Sequence, residues 1–142
     1  MKSAKWMLPV TLMLLSGLMA AQSLTNSHVV AQVPFDFMVN NKYIPAGECV
    51  VGAADKDGKV LAIRNFDARK SALAPSSHVE AANKAADSTV LVFKRYGGQY
   101  FLSEIRLEGS NVTYKLPESR AEIELRAQNA PASQQTLLAS LK

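Results

Sequence analysis

Cysteine occurs once, at Cys49, so no internal disulfide can form and the fold must hold by burial. Histidine occurs twice, at His28 and His78, and neither has a cysteine or carboxylate at ligand spacing. The sequence therefore carries no metal pattern and calls for no cofactor. The one tryptophan, Trp6, sits in the apolar N-terminal stretch, so the rest of the chain lacks the side chain with the largest face for stacking on sugar rings. No Gly-x-Ser-x-Gly frame marks a nucleophilic serine. Gly58, Gly97 and Gly98 stand in turns and show no phosphate-loop order. Asp55 and Asp57 lack EF-hand spacing and are interrupted by Lys56, so they read as turn residues.

Charge of one sign is also scarce. Sixteen basic residues face 12 acidic ones, for a net charge of +4. Without Lys2 and Lys5, which belong to the leader described below, the balance is +2. The densest basic pairs, Arg69-Lys70 and Lys94-Arg95, are too short to track a phosphate backbone, which argues against nucleic acid as a partner. The longest apolar run, from Trp6 to Ala21, is shorter than the roughly 20 residues of a spanning helix.

What is present begins with that run. Lys2 and Lys5 precede it and small residues follow, the order of a secretory leader. Cleavage after Ser23 or after Ala31 fits the small-residue requirement. The later cut is favoured because alternation begins at Val33, giving a leader over 1–31 and no membrane span in the mature chain. The expected location is the periplasm or the extracellular space. A single domain over 32–128 and a mobile tail over 129–142 complete the division.

The domain reads in strands. Val33, Phe35, Phe37 and Val39 alternate with Pro34, Asp36 and Met38. Asn40-Asn41 marks a tight turn, since asparagine tolerates positive φ. Glu48 to Ala53 and Val60 to Asn65 flank the hairpin cue Asp57-Gly58. Cys49 alternates with Val51 and is expected to be a buried small hydrophobe. Short strands are expected at Ser71 to Ala74 and at His78 to Ala82. Thr89 to Tyr96 contains Val90-Leu91-Val92-Phe93, a continuous run that predicts a central strand covered on both faces. Gly97-Gly98 turns it into Gln99 to Leu107, and Val112 to Leu116 is the next strand.

Beyond Pro117 the period changes. Ser119 and Glu122 have capping-box spacing, and Glu122 and Arg126 are placed for an i, i+4 pair. Residues 117–128 are expected to be a helix whose solvated face carries Glu118, Glu122 and Glu124. Together these elements predict a mainly-β domain: an antiparallel sandwich or small barrel of seven or eight strands with one C-terminal helix.

Four stretches carry a resemblance: Val33-Pro34-Phe35-Asp36-Phe37, Ile44-Pro45-Ala46-Gly47-Glu48, Arg95 through Leu102, and Leu116 through Glu122. They resemble a group of small exported β-rich proteins of soil bacteria for which no function is established. The resemblance spans most of 32–126. It implies export and a single domain, and it carries over no catalytic residue.

The candidate binding surface is aromatic. Tyr96, Tyr100 and Phe101 flank the Gly-Gly turn, and Tyr43 follows Asn40-Asn41. Aromatic hairpin tips can stack on a ligand or partner, and cross-strand packing is the competing role. No catalytic residue stands out. The expected function is an exported, non-enzymatic module that binds a protein or cell-envelope partner or contributes to surface structure. One alternative is a small hydrolase or isomerase using two of Asp36, Glu48, Asp67, Glu104 and Glu108. Another is a carrier with a cavity lined by Phe and Leu.

Overall fold

The computed structural model describes residue 24 and residues 27–80, 84–128 and 131–142. The elements run β1 (Val29–Val33), β2 (Phe37–Val39), β3 (Lys42–Ile44), β4 (Gly47–Ala53), β5 (Val60–Asn65), β6 (Lys70–Pro75) and β7 (Ser77–Glu80). There follow β8 (Val90–Tyr96), β9 (Gln99–Arg106), β10 (Val112–Lys115), α1 (Arg120–Ala127), β11 (Ala132–Leu138) and β12 (Ser140–Leu141). They form two sheets. The first has the order β12-β1-β4-β5-β6, and the second runs β11-β8-β9-β10-β7, with β2 joining β9 and β3 joining β2. Among the described strands every pairing is antiparallel except the short parallel contact between Met38 of β2 and Phe101 of β9, and an isolated parallel bridge joins Ala86 to Glu108. The architecture is a mainly-β sandwich with one C-terminal helix.

The period of two explains which side chains fill the space between the sheets. Val29, Ala31 and Val33 of β1, Cys49 and Val51 of β4, and Leu61 and Ile63 of β5 point inward from the first sheet. Phe37, Leu91, Phe93, Leu102 and Ile105 meet them from the second. Phe37 and Phe35 both set their rings edge-on to Phe93, with centroids 5.1 and 5.0 Å away. Such contacts add about 0.5–1.5 kcal/mol beyond area burial.

The run from Val33 to Val39 keeps its alternation but is two strands. Pairing passes from β4 to β3 across Pro34–Asp36, so the segment leaves the first sheet and enters the second. Proline has no N–H for a ladder, which suits it to this crossing. Asn40 and Asn41 both hold positive φ, 46° and 64°, the twist a two-residue hairpin requires. Gly58, at φ 69°, turns β4 into β5. Asp55 caps the same hairpin by accepting from the Val60 amide at 3.1 Å.

Among the described residues there are twelve strands, four more than the upper expectation of eight. The additional ones arise from the Pro34–Asp36 break, from β3, and from β11 and β12. Within the described part of the tail expected to be mobile, 131–142, β11 pairs with β8 along all seven of its residues and β12 pairs with β1. The tail has no clean apolar alternation. Its order comes from the β8 ladder, an information source outside the segment. The helix is shorter than 117–128 because Ser119 is its N-cap, accepting from the Glu122 amide at 3.3 Å.

The leader lies mostly outside the described residues. Strand pairing nevertheless starts at Val29, before the boundary drawn at Gln32. Cutting after Ala31 would remove three of the five residues of β1, whereas cutting after Ser23 leaves it whole. Leu24 is itself buried, with its amide on the Tyr114 hydroxyl at 3.3 Å and its carbonyl accepting from Ala53.

A chain beginning at Gln32 loses the buried Leu24 and Val29 side chains, each worth about 1.5–3 kcal/mol. Urea unfolding is expected to place it at least about 3 kcal/mol below a chain beginning at Leu24. Equal stability would remove β1's first half from the core. Cys49 gives a second check. Burial first, and Glu48 second, push its thiol up to about 11. It should react with a thiol reagent only after denaturant is added.

Candidate functional site

The four aromatic candidates do not form one surface. Tyr96 and Phe101 are buried on the outer face of the second sheet, edge to face at 5.8 Å. Tyr100 points to the other face, stacked on Phe35 at 3.7 Å with the Arg95 guanidinium 5.5 Å from its ring. Tyr43 is exposed on β3. Its hydroxyl donates to Asp36, which raises the Tyr43 pKa and, with the Ala46 amide, lowers that of Asp36. Three of the four are thus engaged in cross-strand or sheet-to-helix packing.

Helix α1 covers Tyr96. The Tyr96 hydroxyl donates to Glu122 Oε1 at 3.1 Å, and Lys94 Nζ stands 4.0 Å from the same oxygen. Glu122 is therefore not on a solvated helix face; it is only 4% exposed. Its carboxylate meets Tyr96 rather than turning back to complete a capping box. Arg126 pairs with Glu118 at 2.7 Å, not with Glu122. Desolvation raises the Glu122 pKa, against the opposing pull of Tyr96 and Lys94. Burial, and then the Glu122 contact, push the Tyr96 phenol up to about 12.

The two histidines are held by local structure. His78 Nε2 lies 2.9 Å from the Gly58 carbonyl, an acceptor, so the ring proton sits on that nitrogen. The ring also packs edge to face on Tyr114 at 4.5 Å. His28 covers Gly52 on the outer face of the first sheet, where a Cβ would approach Nδ1 to 2.8 Å. Among the described residues, no three of His, Cys, Asp and Glu converge to hold a metal.

A concavity of about 360 Å³ lies on the outer face of the second sheet. Its floor follows from register. Glu104 is opposite Lys115 and Arg106 is opposite Thr113 across β9 and β10, and Thr113 is opposite Val79 of β7. These residues alternate with the buried Ile105 and Tyr114, so the polar set must face outward together. Ala86, Lys84 and Ser110 form the wall. Ala86 is tied to the β9–β10 turn by two backbone bonds of 3.0 Å, to Ser110 and Gly109. Gly109 holds φ 77°, which lets the turn close against that segment.

The electrostatics are mixed with a cationic excess. Glu104 accepts from Arg106 Nη2 at 2.9 Å and has Lys115 Nζ at 3.9 Å from its other oxygen. Lys84 adds a third cation, loosely paired with the exposed Asp87 at 3.7 Å. An exposed pair of that kind contributes at most about 1 kcal/mol, leaving Lys84 able to turn toward a ligand. Ser110 accepts from the Val112 amide at 3.1 Å and keeps its own O–H to donate. The set can bind an anionic group and hydroxyls. It has no nucleophile with a neighbouring base.

Comparison with protein families, curated proteins and solved structures finds no match to this chain.

Of the residues in this cavity, only Glu104 was a candidate from sequence. Arg106, Lys115, Ser110, Thr113 and Lys84 were missed. A signal existed in the alternation of Glu104/Arg106 against Ile105 and of Thr113/Lys115 against Tyr114. The apolar period there predicts the strands, and its polar complement marks the cavity floor.

Glu122 gives a pH test. Its folded pKa is above its ordinary 4.5, so its contribution to stability is present below that value and is lost as pH rises through the raised one. Urea midpoints of the wild type and Glu122→Gln, compared from the acid side to neutrality, should move in favour of the variant. A constant difference would mean that Glu122 titrates normally.

Proposed function

We propose that the chain is an exported, non-enzymatic sandwich module that acts by binding at the cell envelope or outside the cell. Its site is the cavity over β9, β10 and β7, and its ligand class is an acidic saccharide. The observation that carries this reading is the lining: three cations, one half-buried carboxylate and two hydroxyl residues, beside Val79 and Ala86, in about 360 Å³. That volume is in the range of small-molecule sites, about 300–1,000 Å³. Arg106, Lys115 and Lys84 suit a carboxylate. Glu104, Ser110 and Thr113 suit the hydroxyls of a sugar ring. Glu104 disfavours a densely charged anion such as phosphate.

The same lining weighs against the two alternatives. Acid–base chemistry on a saccharide uses two carboxylates. Of Asp36, Glu48, Asp67, Glu104 and Glu108, only Glu104 lines the cavity, and Arg106 and Lys115 neutralise it. A carrier of apolar ligands needs a cavity lined by Phe and Leu; the apolar members of this lining are Val79 and Ala86, beside six charged or hydroxyl residues. Export rests on the leader pattern and on the resemblance to exported proteins of soil bacteria.

Calorimetric titration with a uronic-acid oligosaccharide and its neutral methyl ester tests the site. Binding of the acid and not of the ester is expected, weakening as salt rises. Arg106→Ala or Lys115→Ala should weaken it at least about tenfold, the value of one charged hydrogen bond. Equal binding of acid and ester, or unchanged affinity in both variants, would overturn the assignment.

A further inference from the structure

Strands at a sheet edge present unpaired N–H and C=O groups, and proteins guard them by shortness, charge, proline or cover. Most edges here are guarded. β12 has two residues and β3 has three. β6 carries Lys70 and Pro75, packs against β3, and has its Leu73 carbonyl occupied by Asn40 Nδ2 at 3.0 Å. β7 has four residues including Glu80, and its approach is fastened to the β4–β5 hairpin by the Ser76 amide on the Lys59 carbonyl at 2.7 Å.

β11 differs. It has seven residues, Ala-Ser-Gln-Gln-Thr-Leu-Leu, with no charge, proline or glycine. It pairs with β8 on one side, and among the described residues no strand pairs with the other. Ala132 to Thr136 are exposed, and Leu138 is 76% exposed. At about 3.4 Å per residue the open edge is roughly 23 Å long.

We infer that β11 is a dimerisation strand, pairing antiparallel with β11 of a second copy across a two-fold axis. The two β11-containing sheets then become one continuous sheet. The strand's neutrality selects this occupant. Antiparallel self-pairing about an axis at the centre of the strand sets each residue at or beside the axis directly or diagonally across from its own copy, within about 8 Å, so a charge at those positions would meet its like. β11 has none. Gln134, Gln135 and Thr136 supply polar side chains able to bond across the pair. The nearest cations, Lys94 and Arg95, sit opposite Gln134 and Ser133 on β8, one strand spacing of about 4.8 Å behind the edge. The cavity at the β10–β7 side stays open in such a dimer.

Sedimentation equilibrium in reducing buffer tests the assembly. The wild type should sediment at twice the protomer mass. Gln134→Lys with Thr136→Lys should give a monomer with unchanged near-ultraviolet circular dichroism. Mixing that variant with Gln134→Glu/Thr136→Glu should restore a heterodimer, because opposite charges then face each other along the strand. A monomeric wild type would overturn the inference. So would a dimer that survives the lysines, or a mixture that stays monomeric.

Discussion

The burial of β8 on both faces is the constraint on which the rest of the sandwich depends. Val90, Leu91, Val92 and Phe93 offer no polar face, so each side of the strand needs a cover. Phe93 and Leu91 take the inner side and receive Phe35 and Phe37 from the crossing segment. On the outer side α1 covers the Tyr96 end of the strand. Laterally the strand needs two neighbours for its backbone groups, and β9 and β11 provide them. Removing any one cover leaves apolar surface or unpaired amides at the centre of the molecule.

That dependence explains which parts of the fold were legible. β5 has the bounds its sequence predicts, and β4, β6, β8 and β9 nearly so, because apolar period and turn residues coincide there. The Asn40-Asn41 turn was legible because few residues adopt two successive positive φ values. The tail was not. Ser133, Gln134 and Gln135 look like a linker by composition, and only the unpaired side of β8 makes them a strand. The fate of Glu122 was hidden for the same reason. Helical spacing gave its neighbours on α1 but not the sheet beneath.

The site was less legible than the fold. Aromatics near hairpin tips drew the candidate surface, yet Tyr96 and Phe101 are interior to the sheet–helix contact. A sequence shows that a residue is aromatic. It does not show which face of a strand a later helix will cover. The cationic cavity draws on three strands, a turn and the segment carrying Lys84 and Ala86, brought together by register between residues as distant as Val79 and Thr113. Register is a property of pairs, and no single segment declares it.

The pairing of β12 with β1 has a consequence for the order of folding. Val29 and Val30 lie next to Leu141 and Ser140, more than a hundred positions away in the chain. A polypeptide made from its N-terminus therefore holds β1 and β8 without their outer neighbours until residues 132–141 have emerged. Closing so long a loop is slow, because its entropy is lost before the contact repays it. The nascent chain should stay open through most of synthesis and close late. An unclosed chain of that kind can still be threaded through a narrow translocation channel.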